Sequence, residues 1–354
     1  MTNRTQANTP RISPEGWRRF LRRTLAAALL AVLCLGAAAA ETAAGETVRA
    51  GDILCFGAPD EASGFDGRWL VLDAGHTNTG AEGIFAVSLG LIGGDAGEPL
   101  IFRDIGDVSV SFGDRGEAFA AAHPGVTDYQ GSDLQRWTEG FLDARFTEAE
   151  RQALIPTDKS DAGAVIPGIR VPLPGAANGT VDFDPAEGVL RGDRLFPLSA
   201  EEAYSAAYGF TDNRARVALF KGEPNGYWLR SPHIPTFPLD VGFVFGFGAL
   251  MDYPVNARSM FTVASYARPA CNIDAARIAA LEPLGREDGV TLWRVSFRGG
   301  EANRRVYALS LPEVGSVPDI QTAIAAAVAG GAVLLAAAVF LLLRFILRRI
   351  RRRA

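Results

Sequence analysis

Tyr227-Trp-Leu-Arg-Ser-Pro232, followed by Leu239-Asp-Val-Gly-Phe-Val-Phe-Gly-Phe-Gly-Ala-Leu250, is the stretch on which the fold class turns. The first segment sets aromatic and aliphatic residues between a glycine and a proline, the composition of a short strand. In the second, Val241, Phe243, Phe245 and Phe247 alternate with Gly242, Val244, Gly246 and Gly248. That alternation is the strand period, so one face is aromatic and the other nearly bare. A bare glycine face suits a ligand, a closely packed neighbour, or a turn through Gly246 and Gly248. Arg230, inside the first strand, must find partners if it is buried.

Working outward, Gly51–Gly57, Arg68–Asp73, Glu82–Leu91, Leu100–Phe102 and Val263–Ile273 have the composition of further short strands bounded by Gly and Asp. Helices are fewer. Leu134, Trp137, Phe141 and Leu142 fall on one face of a helix over Ser132–Leu142, and Ser132 with Gln135 has the spacing of a capping box. Thr147 with Glu150 and Ser199 with Glu202 start two more helices in the same way. Gly163–Leu195 is broken by Gly and Pro into loops. Val290–Phe297 and Arg304–Leu311 flank Gly299-Gly300, which predicts a hairpin appended to the domain over 281–316.

Taken in order, Ser132-Asp-Leu-Gln-Arg-Trp137, Phe141, Phe146-Thr-Glu-Ala-Glu150, Leu195-Phe-Pro-Leu-Ser199, Glu201, Glu202, Tyr227-Trp-Leu-Arg-Ser-Pro232 and Ala267-Arg-Pro-Ala270 resemble the bacterial domain-of-unknown-function family 6273 over roughly residues 50 to 275. Two features depart from it: the polar turn after the Trp-Leu-Arg-Ser-Pro strand is replaced by the Phe/Gly run, and Gly163–Leu195 matches nothing. The family is similar to the C-type-lectin-like fold of formylglycine-generating enzymes, so the resemblance implies an α+β, lectin-like domain over 48–280 with short twisted antiparallel strands, a few helices and long loops. In that fold the first and last strands lie side by side, which would bring Cys55 and Cys271 within reach of a disulfide; two buried free thiols are the alternative. Formylglycine chemistry needs a cysteine pair at a substrate groove, and these two cysteines sit in predicted strands instead.

Glu223-Pro224-Asn225 is the tripeptide with which sugar-binding lectins hold calcium and sugar hydroxyls. Its carboxylate and amide oxygens are hard ligands suited to that ion, although no Trp-Asn-Asp follows. Arg230 and Arg268 are the polar residues inside the two strongest motifs: they either clamp a ligand or hold a buried hydrogen-bond network. His76, His123 and His233 lack metal-ligand spacing, and no nucleophile elbow or phosphate loop is present. Glu223, Asn225, Arg230 and Arg268 are therefore the candidate ligand contacts. No catalytic residue and no cofactor other than calcium is indicated. An enzyme of the formylglycine-generating type with an unrecognised site is the rival to a binding module.

The two ends place the domain. Six arginines from Arg4 to Arg23, an apolar run Leu25–Leu35 and Ala38-Ala39-Ala40 have the three parts of a signal peptide over 1–40, cleaved before Glu41. The apolar run is short for a signal anchor, and Leu33 before Cys34 argues against lipidation. Ile320–Leu343 is long enough to cross a bilayer, and six arginines follow in 344–354, which predicts a single-pass anchor with its C-terminus inside and the domain outside. A processed sorting tail is the alternative. Without the arginines of the two ends and Glu15, 23 basic and 39 acidic residues remain of the chain's 35 and 40. A net charge of about −16 excludes nucleic acid as a partner. A glycan or a protein is the expected ligand.

Overall fold

The structure is a computed structural model that describes residues 47–104, 125–160, 165–166, 181–182, 188–232, 240–254 and 265–312. The signal region 1–40, the apolar span 320–343 and the tail 344–354 lie outside the described residues, as do His123, His233 and much of Gly163–Leu195. Among the described residues, no helix is long and apolar enough to cross a membrane.

The α+β class holds, with strands dominant. In chain order these are β1 (Ile53–Cys55), β2 (Arg68–Asp73), β3 (Ile84–Ser88), β4 (Thr157–Lys159), β5 (Val165–Ile166), β6 (Val181–Asp182), β7 (Leu190–Asp193), β8 (Phe196–Pro197), β9 (Ala218–Phe220), β10 (Glu223–Pro232), β11 (Asp240–Val244), β12 (Leu250–Pro254), β13 (Ser265–Tyr266), β14 (Pro269–Ile273), β15 (Ile278–Glu287) and β16 (Val290–Phe297). The α-helices are α1 (Asp133–Arg145), α2 (Glu148–Ala153), α3 (Ala200–Tyr204) and α4 (Asn213–Arg216). A seven-stranded sheet runs β15-β16-β1-β2-β3-β14-β8. A second sheet runs β12-β11-β10-β13, with β9 paired to β10. The core lies between the sheets, where Leu72, Phe85 and Val87 meet Tyr227, Leu229, Val241 and Phe243, with Leu134 of α1 closing one side.

Local chemistry explains the helix starts. Thr147 and Ser199 each accept from the amide three residues on, while Glu150 and Glu202 reach back to the cap amide, so both capping boxes are complete. Ser132 accepts from the Gln135 amide as expected, but the Gln135 carbonyl turns instead to the Gly131 amide at 2.6 Å. This box is therefore half made. From Asp240 to Leu250 the run takes the turn through Gly246 and Gly248 that the sequence allowed: β11 and β12 form a hairpin whose turn is Phe245 to Gly248, closed by the Gly248 amide donating to Phe245 O at 2.7 Å.

Two expectations are overturned. Val290–Phe297 pairs with Ile278–Glu287 through the two-residue turn Asp288-Gly289, both at positive φ, and not with Arg304–Leu311. The hairpin is not an appendage either, because β16 pairs in parallel with β1 and so belongs to the main sheet. This rearrangement undoes the disulfide. The strand beside β1 is β16, whereas Cys271 on β14 pairs with Ala86 on β3, two strands beyond β1. Three strand spacings of about 4.8 Å separate the two thiols' strands, beyond the ~7 Å a disulfide tolerates. Both cysteines are free and buried.

Burial pushes the Cys55 thiol up to about 12 and raises Cys271 as well. At pH 8 the Cys55 thiolate fraction is then only about 10⁻⁴. A thiol reagent at pH 8 should therefore find no reactive cysteine in the native domain and two after denaturation without reductant. Zero thiols after denaturation would restore the bridge.

Candidate functional site

The four candidate residues divide into two buried and two surface positions. Arg230 on β10 is fully buried and is consumed inside the protein. Its Nη1 donates to Pro197 O at 2.8 Å and to Glu202 Oε2 at 2.7 Å, Nη2 donates to Glu202 Oε1 at 3.0 Å, and Nε donates to Gly188 O at 3.1 Å. Glu202 comes from the capping box of α3, which aims the carboxylate inward. It also accepts from Lys159 Nζ at 2.6 Å and Asn78 Nδ2 at 2.7 Å. Asn78 is held in turn by Asn272, whose Oδ1 takes the Asn78 amide and whose Nδ2 donates to Asn78 Oδ1 and Thr157 Oγ1. Burial alone would raise the Glu202 carboxyl, but Arg230 and then Lys159 override it and hold the group well below the usual carboxylate range. This network joins β4, β10, β14, α3 and the β2–β3 loop. Arg230 is thus a structural partner and not a surface clamp.

Arg268 is likewise buried. Its Nε donates to Ser88 O at 3.1 Å, Nη1 donates to Tyr227 Oη at 3.3 Å, and the guanidinium lies over the Tyr227 and Phe210 rings. Trp228 is a core residue whose Nε1 donates to Leu100 O at 2.9 Å. Trp137, half-buried, stacks on Phe141 with ring centroids 5.0 Å apart.

Glu223, Pro224 and Asn225 open β10, paired to β9 across the two-residue turn Lys221-Gly222. Glu223 and Pro224 are exposed and Asn225 is half-buried. Asn225 Nδ2 donates to Glu223 O at 3.2 Å, which sets the carboxamide beside the carboxylate's own backbone. The turn of the β11–β12 hairpin rests on this tripeptide: a Cβ at Gly246 would lie 3.0 Å from Pro224 O and 3.3 Å from the Asn225 backbone. That turn carries Phe245 and Phe247, half-buried and stacked 5.5 Å apart at 24°. On the other side, the Leu91 amide donates to Leu219 O and the Gly93 amide to Ser63 O, both at 2.8 Å. A Cβ at Gly97 would lie 3.2 Å from Lys221 Nζ. The β1–β2 loop, the 91–98 loop, the β9–β10 turn and the β11–β12 turn therefore form one contiguous loop surface. It combines an exposed carboxylate, an amide, an ammonium and two part-exposed rings.

Glu223, Asn225 and a turn through Gly246 and Gly248 are legible in the sequence, whereas Lys221 and the placement of that turn beside the tripeptide were missed. A Lys-Gly pair between two strand-like runs was the available signal for the first. Glu202, Lys159, Asn78 and Asn272 were also missed as partners of Arg230. The capping box pointed to Glu202, but nothing local marks the other three. His76 is a surface residue whose Nδ1 lies 3.7 Å from Asp73 Oδ1. No group of three or more His, Cys, Asp or Glu side chains set to hold a metal occurs among the described residues. A cleft between α1 and β7, lined in part by Glu139, Arg191 and Arg194, encloses about 120 Å³. That is below the ~300 Å³ at which small-molecule pockets begin.

No curated protein and no solved structure matches the chain. One family model does, over residues 97–275, just over half of the 354 residues. It spans α1 to β14, and with them Glu202, Arg230, Arg268 and the Lys221–Asn225 turn, but leaves out β1 to β3, β15 and β16. The chain belongs to the family described as Domain of unknown function (DUF6273).

Proposed function

We propose that this chain is a bacterial, membrane-anchored binding module that engages a glycan or a protein through the loop surface around Glu223 and Asn225. Residues 1–40 export it, 320–343 anchor it, and the arginine tail 344–354 holds the C-terminus inside, so the domain faces out of the cytoplasm. The C-type-lectin-like class belongs to the same proposal. Two packed sheets of short strands joined by long irregular loops support it, without deciding function.

The observation that carries the proposal is the division of polar groups. Arg230 and Arg268 are paired inside the protein, whereas Glu223 and Asn225 lie against the turn that carries the half-buried Phe245 and Phe247, and Lys221 lies over the Phe220 ring on the other side of the tripeptide. Part-exposed rings flanked by hydrogen-bonding groups suit a ligand with an apolar face and polar edges. Calcium would be held by the Glu223 and Asn225 oxygens if it takes part.

A glycan array probed with the isolated extracytoplasmic segment, with and without calcium, tests this. Binding should fall at least about tenfold in Asn225→Ala and Phe247→Ala, the loss expected when about 1.4 kcal/mol of contact is removed. An Arg191→Ala change at the separate α1–β7 cleft should leave it intact. Binding indifferent to Asn225 and Phe247 would remove the site. Silence on both the array and a pull-down from outer-surface proteins would remove the function.

A further inference from the structure

We infer that residues 301–311 are a strap that couples the C-terminal segment to the loop surface through the two feet of the β1–β2 loop. The segment has no regular secondary structure, yet polar contacts fix it along its length. Asn303 Nδ2 donates to Cys55 O at 3.2 Å and to Val295 O at 3.0 Å, where β1 and β16 run side by side. Arg305 makes a two-pronged ion pair with Glu150. Glu150 is at the same time the acceptor for the Gly57 amide at 3.0 Å and the Thr147 amide at 2.7 Å. Tyr307 is buried on Ile53, Cys55 and Leu292, and its hydroxyl donates to Gly57 O at 3.3 Å. Arg68 Nη1 donates to Ala308 O at 3.3 Å and to Ser310 O at 2.5 Å. The strap ends with the Leu311 amide on Glu287 Oε2 at 2.8 Å.

These contacts converge on the first foot of the β1–β2 loop, Cys55 to Gly57, and on the second, Gly67 and Arg68. At Gly67 the Tyr307 ring lies so close that an added Cβ would meet it at 2.6 Å. From the feet the loop rises to Ser63, which accepts from the Gly93 amide, and to Gly64, where an added Cβ would lie 2.8 Å from the Phe220 ring. Phe220 ends β9, immediately before Lys221-Gly222. The chain of contact from strap to loop surface therefore runs strap, β1–β2 loop, then the 91–98 loop and the β9–β10 turn, with no gap. All of the strap lies beyond the family match, which ends at residue 275.

Glu150 is the element on which both sides act. Burial would raise its carboxyl, but Arg305 and the Gly57 and Thr147 amides keep it ionised, with its folded value below the usual one. Removing Arg305 leaves that carboxylate short of its cation at the very point where it positions Gly57. A change in the strap is thereby passed to the loop as a change in the Gly57 contact.

Amide hydrogen exchange on the full chain in detergent micelles or nanodiscs, comparing the wild type with Arg305→Ala and with Tyr307→Phe, tests this and needs no ligand. Its outcome is therefore separate from that of the binding proposal. Arg305→Ala should speed exchange at Gly57, Leu91 and Gly93 by about tenfold or more, while Tyr227 to Leu229 on β10 stay at the wild-type rate. Tyr307→Phe keeps the ring and removes only the hydroxyl, so it should give the same pattern at smaller size, and it decides the matter if Arg305→Ala does not fold. Faster exchange at Gly57 with Leu91 and Gly93 unchanged would make the strap a local clasp and overturn the coupling. An equal rise everywhere, β10 included, would reduce it to general stability and overturn it as well.

Discussion

Substituting Arg230 with alanine should lower the free energy of unfolding by about 3–5 kcal/mol, the cost of leaving a buried charge without its partner. Glu202 would keep Lys159, Asn78 and the Ser199 amide, but would lose both guanidinium bonds in a site from which water is excluded. Lys159→Met should cost less, because the Lys159 side chain is 19% exposed whereas Arg230 is at 0%. The pair also predicts a direction with pH. The folded Glu202 carboxyl lies below its unfolded value near 4.5, so its stabilisation is complete above that pH and is lost as the pH falls through the depressed folded value. Arg230→Ala raises the folded value, so the variant should show a shallower acid limb as well as a lower plateau at pH 7. Urea denaturation from pH 3 to 7 measures both. A plateau loss under about 1 kcal/mol would mean that Lys159 alone satisfies Glu202 and that Arg230 has another task.

The elements legible in the sequence were those with a local chemical signature. Thr147 with Glu150 and Ser199 with Glu202 specify their helix starts within four residues, and Arg68–Asp73 reads as a strand from composition alone; all three stand where expected. Asp288-Gly289 is an equally local signal for the last hairpin, since both residues favour the positive φ that a two-residue turn demands, but the glycine pair at Gly299-Gly300 carries a turn signal of the same kind between two strand-like runs. What no local rule carries is the pairing of distant strands. Whether Cys271 lies beside Cys55 depends on which strand takes the position next to β1, and that is set by the burial of Leu292 and Val295, 21 and 24 residues beyond Cys271. The same holds for the site. Glu223 and Asn225 were visible as a tripeptide, whereas their proximity to Phe245 and Phe247 is a consequence of the β10–β11 pairing, which seats the second turn on the first.

The Phe/Gly run supplies the second large effect. Read as one strand, Gly246 and Gly248 are equivalent members of a bare face, and alanine at either should cost about the same. In the folded chain they are not equivalent. Gly248 has φ +82, and a Cβ there would lie 1.7 Å from Asn213 O, the carbonyl at the first residue of α4. Left-handed backbone costs a residue with a Cβ about 1–2 kcal/mol by itself. The overlap must then be relieved by moving either the turn or the start of α4. Arg216, at the other end of α4, is bonded through Nε to Gly248 O at 2.9 Å and through Nη2 to Asn213 Oδ1 at 2.7 Å, so neither side moves without breaking a buried guanidinium contact. Gly248→Ala should therefore cost about 4 kcal/mol or more, at the upper end of what single substitutions do. At Gly246 the φ is ordinary and the nearest atom to an added Cβ is Pro224 O at 3.0 Å, so Gly246→Ala should cost about 1–2 kcal/mol, the size of mild overpacking. It should also weaken any ligand held at Asn225, because the shift falls on the Glu223–Asn225 backbone. Parallel urea unfolding of the two variants separates the cases: equal midpoints would return the run to a single strand and take away the turn that brings Phe245 and Phe247 to the loop surface.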